Sequence, residues 1–577
     1  MSAKRGAEFS FTGHEIAMTG ENSIVRLDLG DIESFINSVD RTNLKTKLQD
    51  INLAIAQTGM KNNHIEWWCF NAATRNPLAS KFIYLMLAFL CCVEKIESGQ
   101  IKSTVVMENA PDLLKIALVR HFNTRIPLIE RFTLFSKAVL RSFANIARLT
   151  VQLFQAWCVS YRYPVKEIPA NSVALFTFVD GSVHHNGDPY FGNLSDLLKQ
   201  ELPETTVEHL AYVYRPYLKR IKGGEIDLTG NYSLLLSFLS LPDYIDSWFK
   251  YFAMSIVLPR LQMPRSIRYE DAFRIILKGT LRNEISRGAL ENYLIYKAFH
   301  NIGKSGKFKR IIYPFENKSI EKCLLKGLDS SSSVKIIGYQ HSSITKRHFA
   351  MQLVPGEFEK IPMPDHIVAV GDVTRSWLIE NGFPETFVRS GCSLRHKLDF
   401  NTKRARTANE TPHILFALSS SKYELESTVA FMQELKEKHN SWVLAIRCHP
   451  NFPSSLLNDE PRRWLKDNVI EFTGTSLQKN LEWCEVLGYV SSTVALEALA
   501  AGIPIIRFGT EVLNSDPLLE HPPFCRECYT VEEFITSVDE FRAMSIDTRN
   551  DAVVAARSYV CSYLKPYSDS IVMEFVA

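Results

Sequence analysis

The residues best suited to chemistry lie where predicted strands end in the C-terminal third of the chain. In YVSSTVALEALAAGIPIIRFG (residues 489–509) a strand is followed by a turn of three hydroxyl residues, Ser491, Ser492 and Thr493, and then by a helical period that contains Glu497. The start of a helix attracts anions, because its first N–H groups are unpaired and its dipole is positive there. The same pattern also fits an ordinary serine N-cap. The turn thus indicates a phosphate site only if a second group supports it.

A second group follows an earlier predicted strand. In LAIRCHPNFP (residues 444–453) a buried strand ends in Arg447, His449 and Pro450. Ligands of doubly wound α/β domains bind at the carboxyl ends of the parallel strands, where a histidine and several hydroxyls can converge on a phosphate. A lone histidine at a strand end is also a common structural hydrogen-bonding residue.

The elements around these motifs predict an α/β protein with two Rossmann-like domains facing a central cleft. Apolar strand-like runs alternate with helical periods in two series, preceded by an N-terminal cap at residues 1–63. The first series predicts strands at residues 64–70, 104–109, 173–182, 207–214, 233–241, 310–316 and 334–343, in a domain spanning residues 64–360. The second predicts strands at residues 365–371, 387–391, 413–421, 442–450, 469–474, 486–492 and 504–509, in a domain spanning 361–577, with residues 395–412 as a linker or exposed crossover.

Together the two C-terminal motifs resemble the nucleotide-binding domain of GT-B glycosyltransferases that use CMP-activated acidic sugars, such as bacterial sialyl-, polysialyl- and Kdo transferases. The shared pattern is a strand ending in His-Pro, followed about 40 residues later by Ser-Ser/Thr and a helix with Glu-x4-Gly-x-Pro. The resemblance implies that His449, Pro450 and the turn of Ser491, Ser492 and Thr493 hold the CMP phosphate. It also implies that Glu497 holds the ribose and that the loop containing Ser419 and Ser420 contacts phosphate or sugar. The GT-B fold and a nucleotide-sugar co-substrate without any resident cofactor are implied as well.

Two carboxylates are candidates for the base that deprotonates the acceptor hydroxyl. Asp180 follows a predicted strand and precedes Gly181, and many sialyltransferases of this fold carry two acidic residues and a glycine there; here the first acidic position is Val179. Glu316 also follows a predicted strand, although it fits equally well as a solvated residue beside a helix that Ser319 caps. His341 ends the next strand, in GYQHS, and this segment together with Pro-x-Glu resembles predicted surface-carbohydrate biosynthesis proteins. The choice between Asp180 and Glu316 stays open.

Charge and composition limit the partners. The 577 residues carry 66 basic and 63 acidic side chains, a balance that argues against a nucleic-acid binder. Residues 113–166, however, contain nine Lys or Arg and one acid, Glu130, with apolar residues at helical spacing. This segment predicts a long basic helix that either packs on the domain with solvated cations or contacts anionic lipid head groups. Eleven irregularly spaced cysteines and an N-terminus without an apolar signal predict a cytoplasmic protein, with the inner face of the membrane as one location.

No metal is expected. Cys525, Cys528 and His521 lack a second Cys-x-x-Cys pair, and no DxD motif follows a predicted strand. The leading hypothesis is a metal-independent GT-B transferase that moves a nonulosonic acid or Kdo from a CMP donor to a glycan, lipid-linked or protein acceptor. The alternatives are a CDP-glycerol phosphotransferase, a UDP-sugar enzyme, and a non-catalytic scaffold in polysaccharide assembly. Inverting and retaining routes both stay open.

Overall fold

The computed structural model describes residues 9–12, 15–18, 24–28, 44–97 without 78, 104–108, 111–122, 128–179, 188–213, 232–264, 269–396 without 330 and 332, 398, 400, 411–509, 513, 515–568 and 572–576. A small mixed sheet near the N-terminus has the order β1-β2-β4-β3. Its strands are β1 (Phe9–Thr12), β2 (Glu15–Met18), β3 (Ile24–Asp28) and β4 (Thr104–Glu108). β4 was expected in the first parallel sheet but pairs with β2 and β3 instead. Helices α1 (Leu44–Lys61), α2 (Ile65–Trp68), α3 (Phe82–Glu97), α4 (Asp112–His121) and α5 (Leu128–Arg162) lie before the next sheet in the chain.

The first large sheet has seven strands in the order β11-β10-β9-β8-β5-β6-β7, and all its pairings are parallel. Its strands are β5 (Ser172–Val179), β6 (Val207–Val213), β7 (Tyr232–Leu234), β8 (Phe308–Pro314), β9 (Lys335–Gln340), β10 (His366–Ala369) and β11 (Val388–Ser390). The helices of this part are α6 (Leu194–Glu201), α7 (Leu241–Val257), α8 (Glu270–Glu284), α9 (Leu290–Ser305), α10 (Ser319–Leu328) and α11 (Asp372–Glu380). Every residue of β5 and β6 is buried, as expected for a parallel sheet covered on both faces.

The second large sheet has six parallel strands in the order β14-β13-β12-β15-β16-β17. They are β12 (His413–Ala417), β13 (Val443–Arg447), β14 (Ile470–Glu471), β15 (Val486–Tyr489), β16 (Ile505–Phe508) and β17 (Cys525–Cys528). The helices are α12 (Lys422–Lys438), α13 (Asp459–Asn468), α14 (Leu477–Trp483), α15 (Val494–Ala500), α16 (Val531–Ala543) and α17 (Ile546–Tyr563). In both sheets the first strand is central and the chain winds outward in both directions, which is the strand order of Rossmann domains. The prediction of two Rossmann-like domains is confirmed.

The C-terminal end of the chain returns to the first domain. After α17, the backbone of Lys565 donates to Val370 O at 3.1 Å and accepts from Ser393 N at 2.8 Å. Further on, Val572 and Phe575 are buried in a cluster with core residues of β5 and β9. The first domain is thus completed by residues from both ends of the described chain.

Three sequence predictions about elements are corrected. Residues 64–70 were expected to be a strand, but Ile65–Trp68 is helical and buries Trp67 and Trp68; a short apolar run does not distinguish strand from buried helix. Residues 233–241 contain only the end of β7, and Leu235–Phe238 forms a 3-10 turn. β10 and β11 belong to the first sheet, so the change of domain lies between Ser390 and His413 and not near residue 361. None of the described helices is both long and apolar enough to cross a membrane.

Candidate functional site

A cavity of about 320 Å³ opens where β12, β13 and β15 end. β12 and β15 are the neighbours at which the winding of the second sheet reverses, the place where ligands bind in such sheets. The cavity brings together eight residues that the sequence nominated from three separate segments: Ser419, Ser420, Arg447, His449, Pro450, Ser491, Ser492 and Thr493.

The carboxylate of Glu424 holds two of these hydroxyls in place. It accepts hydrogen bonds from Ser419 Oγ at 2.5 Å, Ser419 N at 3.0 Å and Ser491 Oγ at 2.6 Å, and the two serine oxygens are themselves 2.5 Å apart. Glu424 is buried on the first turn of α12, whose N-cap is Ser421. The hydroxyls of Ser419 and Ser491 therefore hydrogen-bond to each other and to Glu424. This network joins the end of β12 to the end of β15.

Sequence reasoning missed Glu424. The spacing Ser421-x-x-Glu424 is that of a capping box, a pattern in which the glutamate normally returns to the N-cap N–H. Here Ser421 Oγ accepts from Glu424 N at 3.2 Å, but the carboxylate bonds to Ser419. A capping-box glutamate next to a predicted phosphate loop is the signal that could have found it.

His449 lines the cavity, and its hydrogen bonding indicates which ring nitrogen carries the proton. Its Nδ1 accepts a hydrogen bond from the backbone N–H of Asn451 at 3.2 Å, so in the neutral ring the proton sits on Nε2. Burial lowers the pKa of His449 below its usual value, which favours this neutral form at pH 7. The ring can thus donate one hydrogen bond from Nε2 to a ligand in the cavity.

Arg447 supplies a fixed positive charge to the cavity wall. Its Nη1 donates to Thr475 O at 3.0 Å and to Asn480 Oδ1 at 2.5 Å. These bonds use one edge of the guanidinium, which has five donors in all. The remaining N–H groups and the charge favour an anionic ligand.

The Ser491 to Thr493 turn is more than an ordinary cap. Thr493 occupies the N-cap position of α15, and its side chain makes no capping hydrogen bond. Ser492 is buried and Thr493 is exposed, and both line the cavity. Their hydroxyls can therefore serve a ligand.

Glu497 does not line the cavity. Its Oε1 lies 3.7 Å from His396 Nδ1, and its Oε2 is buried with no hydrogen-bond partner in the described part of the chain. His396 belongs to the segment that connects the two sheets. The expected ribose contact of Glu497 thus stays a prediction, and in this structure the carboxylate faces the connection between the domains.

A second polar cluster lies where β8 and β9 of the first sheet end, next to the reversal point between β5 and β8. Glu316 follows β8, and its carboxylate forms an ion pair with Lys318 and lies 3.5 Å from His341 Nε2 at the end of β9. Burial alone would raise the pKa of Glu316, but the positive charge of Lys318, with His341 and His348, lowers it to about 2. Glu316 is therefore ionised at neutral pH.

His341 is buried, and neither ring nitrogen has a hydrogen-bond partner among the residues that the structure describes. Its ring stacks on Tyr190 with the centroids 4.9 Å apart. Burial lowers the pKa of His341 to about 4, so the ring is neutral at pH 7. An unpaired, neutral imidazole beside a carboxylate can accept a proton or a hydrogen bond.

The surroundings of Glu316 do not form the simple helix cap that the sequence also allowed. Ser319 is the first residue of α10, and its hydroxyl donates to Phe70 O at 2.6 Å. Glu321, not Ser319, accepts from the backbone N–H groups of Glu316 and Asn317. Burial raises the pKa of Glu321 to about 8, with the charge of Glu316 adding to the effect. Glu321, and not Glu316, therefore accepts the hydrogen bonds from the backbone N–H groups before α10.

Asp180 lies outside the described residues. The last described residue before it is Val179, the end of β5, and β5 is the neighbour of β8. Asp180 thus follows the strand next to the one that Glu316 follows, and its role as a base stays a prediction.

The Cys-x-x-Cys pair is part of the second sheet. Cys525 and Cys528 are the ends of β17 and both are buried, while His521 lies 2.8 Å from Asp516. Within the described ranges, no group of three or more His, Cys, Asp or Glu side chains is placed to hold a metal ion.

No protein-family model and no curated protein sequence matches this chain. Solved structures do resemble it at low scores. UDP-N-acetylglucosamine 2-epimerase from Rickettsia bellii is 11% identical, with 70% of this chain and 96% of that chain covered and a TM-score of 0.39. Anabaena HepE in complex with UDP-glucose is 10% identical, with 70% and 98% covered and a TM-score of 0.40. The glycotransferase of kitacinnamycin is 11% identical, with 68% and 96% covered and a TM-score of 0.35.

Likenesses at these TM-scores say nothing about activity. The fold rests on the strand orders of the two sheets and on the return of the C-terminal residues to the first domain. The chain accordingly has two Rossmann-like domains, and residues after α17 pack on the first of them.

Proposed function

We propose that this chain is a metal-independent glycosyltransferase that binds a nucleotide sugar in the cavity of its second domain. The observation that carries the proposal is the convergence of His449, Arg447 and the hydroxyls of Ser492 and Thr493 at the reversal point of the sheet. These groups offer N–H and O–H donors and one positive charge, the combination that suits a phosphate.

The same donors explain how a leaving nucleotide is stabilised. Breaking the bond between sugar and phosphate leaves negative charge on the phosphate oxygens. Donors already aimed at that position stabilise the charge without reorganisation. We assign this role to His449 Nε2, to the Arg447 guanidinium and to the hydroxyls of the turn.

The donor is a CMP-activated acidic sugar, a nonulosonic acid or Kdo. This choice is supported by the likeness of the His-Pro and Ser-Ser-Thr motifs to enzymes of that class, and by the position of both motifs in one cavity. The acceptor is a glycan, lipid-linked or protein hydroxyl bound by the first domain.

The acceptor proton passes to a group at the end of the first sheet. Glu316 is ionised and partly exposed, so its carboxylate can accept a hydrogen bond from the hydroxyl. Its low pKa limits its strength as a base. Neutral His341 beside it and Asp180 at the end of the neighbouring strand are the other candidates.

A ligand panel tests the proposal directly. Thermal unfolding is followed with CMP, CDP, UDP and GDP, each at increasing concentration. A ligand at 100 times its Kd adds about 2.7 kcal/mol to the free energy of unfolding. We expect stabilisation by CMP.

The other outcomes of the nucleotide panel indicate other functions. Preference for UDP indicates a UDP-sugar enzyme, and preference for CDP indicates a CDP-glycerol phosphotransferase. Failure of all four nucleotides contradicts the proposal and favours a non-catalytic scaffold in polysaccharide assembly.

A further inference from the structure

Helices α5 and α7 lie side by side on the surface of the first domain. They run antiparallel, because the hydroxyl of Ser237, just before α7, donates to Tyr163 O just after α5, while Trp248 Nε1 donates to Thr150 Oγ1 at 3.2 Å in the middle of both. The pair therefore presents one continuous two-helix surface.

The outward side of this pair is apolar. On α5 the buried residues Leu149, Leu153 and Ala156 contact the core, yet the opposite side carries a second apolar row. The exposed large apolar residues of the pair are Leu140, Phe143, Val151, Phe154 and Tyr161 on α5, and Leu241, Ile245, Phe249, Phe252 and Ile256 on α7. On α7 they are three or four residues apart, and on α5 they are three, seven or eight residues apart, that is, one or two helical turns. Each set therefore forms a row on one side of its helix. We call these ten residues the outer stripe.

The outer stripe is unusual for a water-facing surface. Phe143 is 69% exposed, and Phe154 and Phe249 are each 60% exposed. Scattered apolar residues on a surface are common, but contiguous apolar patches mark contact with a partner or a membrane. The expectation that α5 turns its apolar side to the core and leaves only solvated cations outside is thus incomplete.

The charges next to the stripe identify the partner. Arg148 and Arg162 are both exposed on α5. They are 14 residues apart, about four helical turns, and therefore lie on the same side of the helix, along one edge of the outer stripe. Of the nine cations in residues 113–166, Lys115 is buried and Arg120 pairs with Asp271, whereas Arg148 and Arg162 lie beside the stripe. A second copy of this chain would bring the same cations together, whereas an anionic surface attracts them.

We infer that the outer stripe inserts into the interface of an anionic lipid bilayer, with Arg148 and Arg162 at the head groups. An apolar helix face flanked by basic residues lies in the plane of such an interface. This contact needs no spanning segment. It also does not depend on the reaction proposed above, since it uses neither the cavity nor the Glu316 cluster.

Vesicle co-sedimentation of the full chain tests the inference. We expect binding to vesicles of phosphatidylcholine with 30 mol% phosphatidylglycerol, and binding at least tenfold weaker to phosphatidylcholine alone, with a decrease at high salt. The double variant R148A/R162A should lower the affinity for anionic vesicles about 25-fold, since each basic residue contributes about fivefold. The double variant F154S/F249S should lower it at least tenfold, because the apolar contact is lost.

The matched control changes exposed apolar residues elsewhere. Ile546 and Val554 on α17 are 80% and 68% exposed, and I546S/V554S should bind vesicles like the wild type. All variants alter surface residues, so their melting temperatures should stay close to the wild-type value.

Three results overturn the inference. The first is a folded wild-type chain that does not bind anionic vesicles, and the second is an F154S/F249S variant that binds them as well as the wild type does. The third is a dimer, seen by light scattering, that F154S/F249S dissociates and that does not bind vesicles, which assigns the stripe to a second copy of the chain.

Discussion

Replacing His449 by alanine separates nucleotide binding from folding. The ring lines the cavity at the end of β13, is half-buried, and presents Nε2–H because Nδ1 accepts from Asn451 N. If a nucleotide phosphate lies in this cavity, His449→Ala removes one donor to a charged oxygen.

The size of the effect follows from that single bond. A hydrogen bond to a charged group contributes about 1.5 to 3 kcal/mol, which corresponds to a roughly 10- to 150-fold increase in Kd. The cost to folding is small. The only hydrogen bond that the ring accepts in the described structure comes from the exposed backbone of Asn451, which water can satisfy, so the free energy of unfolding should fall by less than about 1 kcal/mol.

Isothermal titration calorimetry with the nucleotide that stabilises the wild type best measures the change. His449→Gln is the informative partner variant, because its side-chain amide can restore an N–H donor, and we expect part of the lost affinity to return. His439→Ala is the matched control: this histidine also belongs to the second domain, but its ring packs at a tilt against Trp442, away from the cavity, and its loss should leave Kd unchanged.

The reasoning fails if His449→Ala and the wild type bind the nucleotide with the same Kd while both are folded. An equal loss of affinity in His439→Ala would also contradict it, since the effect would then be a general one on the domain.

Three further predictions concern the carboxylates and the pH. Glu424→Ala removes the shared acceptor of three hydrogen bonds and should lower the free energy of unfolding by about 3 kcal/mol in urea denaturation, whereas Glu434→Ala on the exposed side of α12 should lower it by less than about 1 kcal/mol. Glu316→Gln should lower kcat for sugar transfer by about 100-fold and leave the Kd of the nucleotide unchanged, because it removes a charge in the other domain; equal loss of both would contradict the assignment. The contribution of His341 to the free energy of unfolding should fall as the pH drops from 6.5 to about 4, because this histidine has a pKa of about 4 in the folded chain and takes up a proton near 6.5 when unfolded. Glu321, whose pKa burial raises to about 8, changes the free energy of unfolding in the opposite direction over this range, so the quantity to measure is the difference between the wild type and His341→Asn. That difference should decrease by at most about 3 kcal/mol, and a difference that does not change with pH would refute the assignment.

The second domain was the more predictable part of the fold. Its strands are short runs of apolar residues closed by Gly, Pro or hydroxyl residues, and its motifs directly follow those strands. Parallel strands end at one edge of their sheet. The sequence pattern alone therefore predicts that Ser419 and Ser491, 72 residues apart, lie close together.

The first domain was harder to predict because its pairing is less local. β4 looks like any other strand in sequence, yet it pairs with N-terminal strands, and β10 and β11 pair across a boundary that the sequence pattern does not mark. The residues after α17 also contribute to a core whose sheet residues lie more than 200 positions earlier in the sequence, which no local pattern reveals.

The sequence by itself determined the α/β class, the alternation of strands and helices, and eight of the residues that meet in the cavity, because these depend on hydrophobic period and on which side chains follow a strand. Only the tertiary structure decided which side chains act on one another. It joined Glu424 to Ser419 and Ser491, turned Glu497 toward His396, and left the outer stripe of α5 and α7 uncovered. These features depend on distances between elements that are remote in sequence. The sequence of a helix with two apolar sides, such as α5, does not tell which side is buried, because the neighbouring elements decide it.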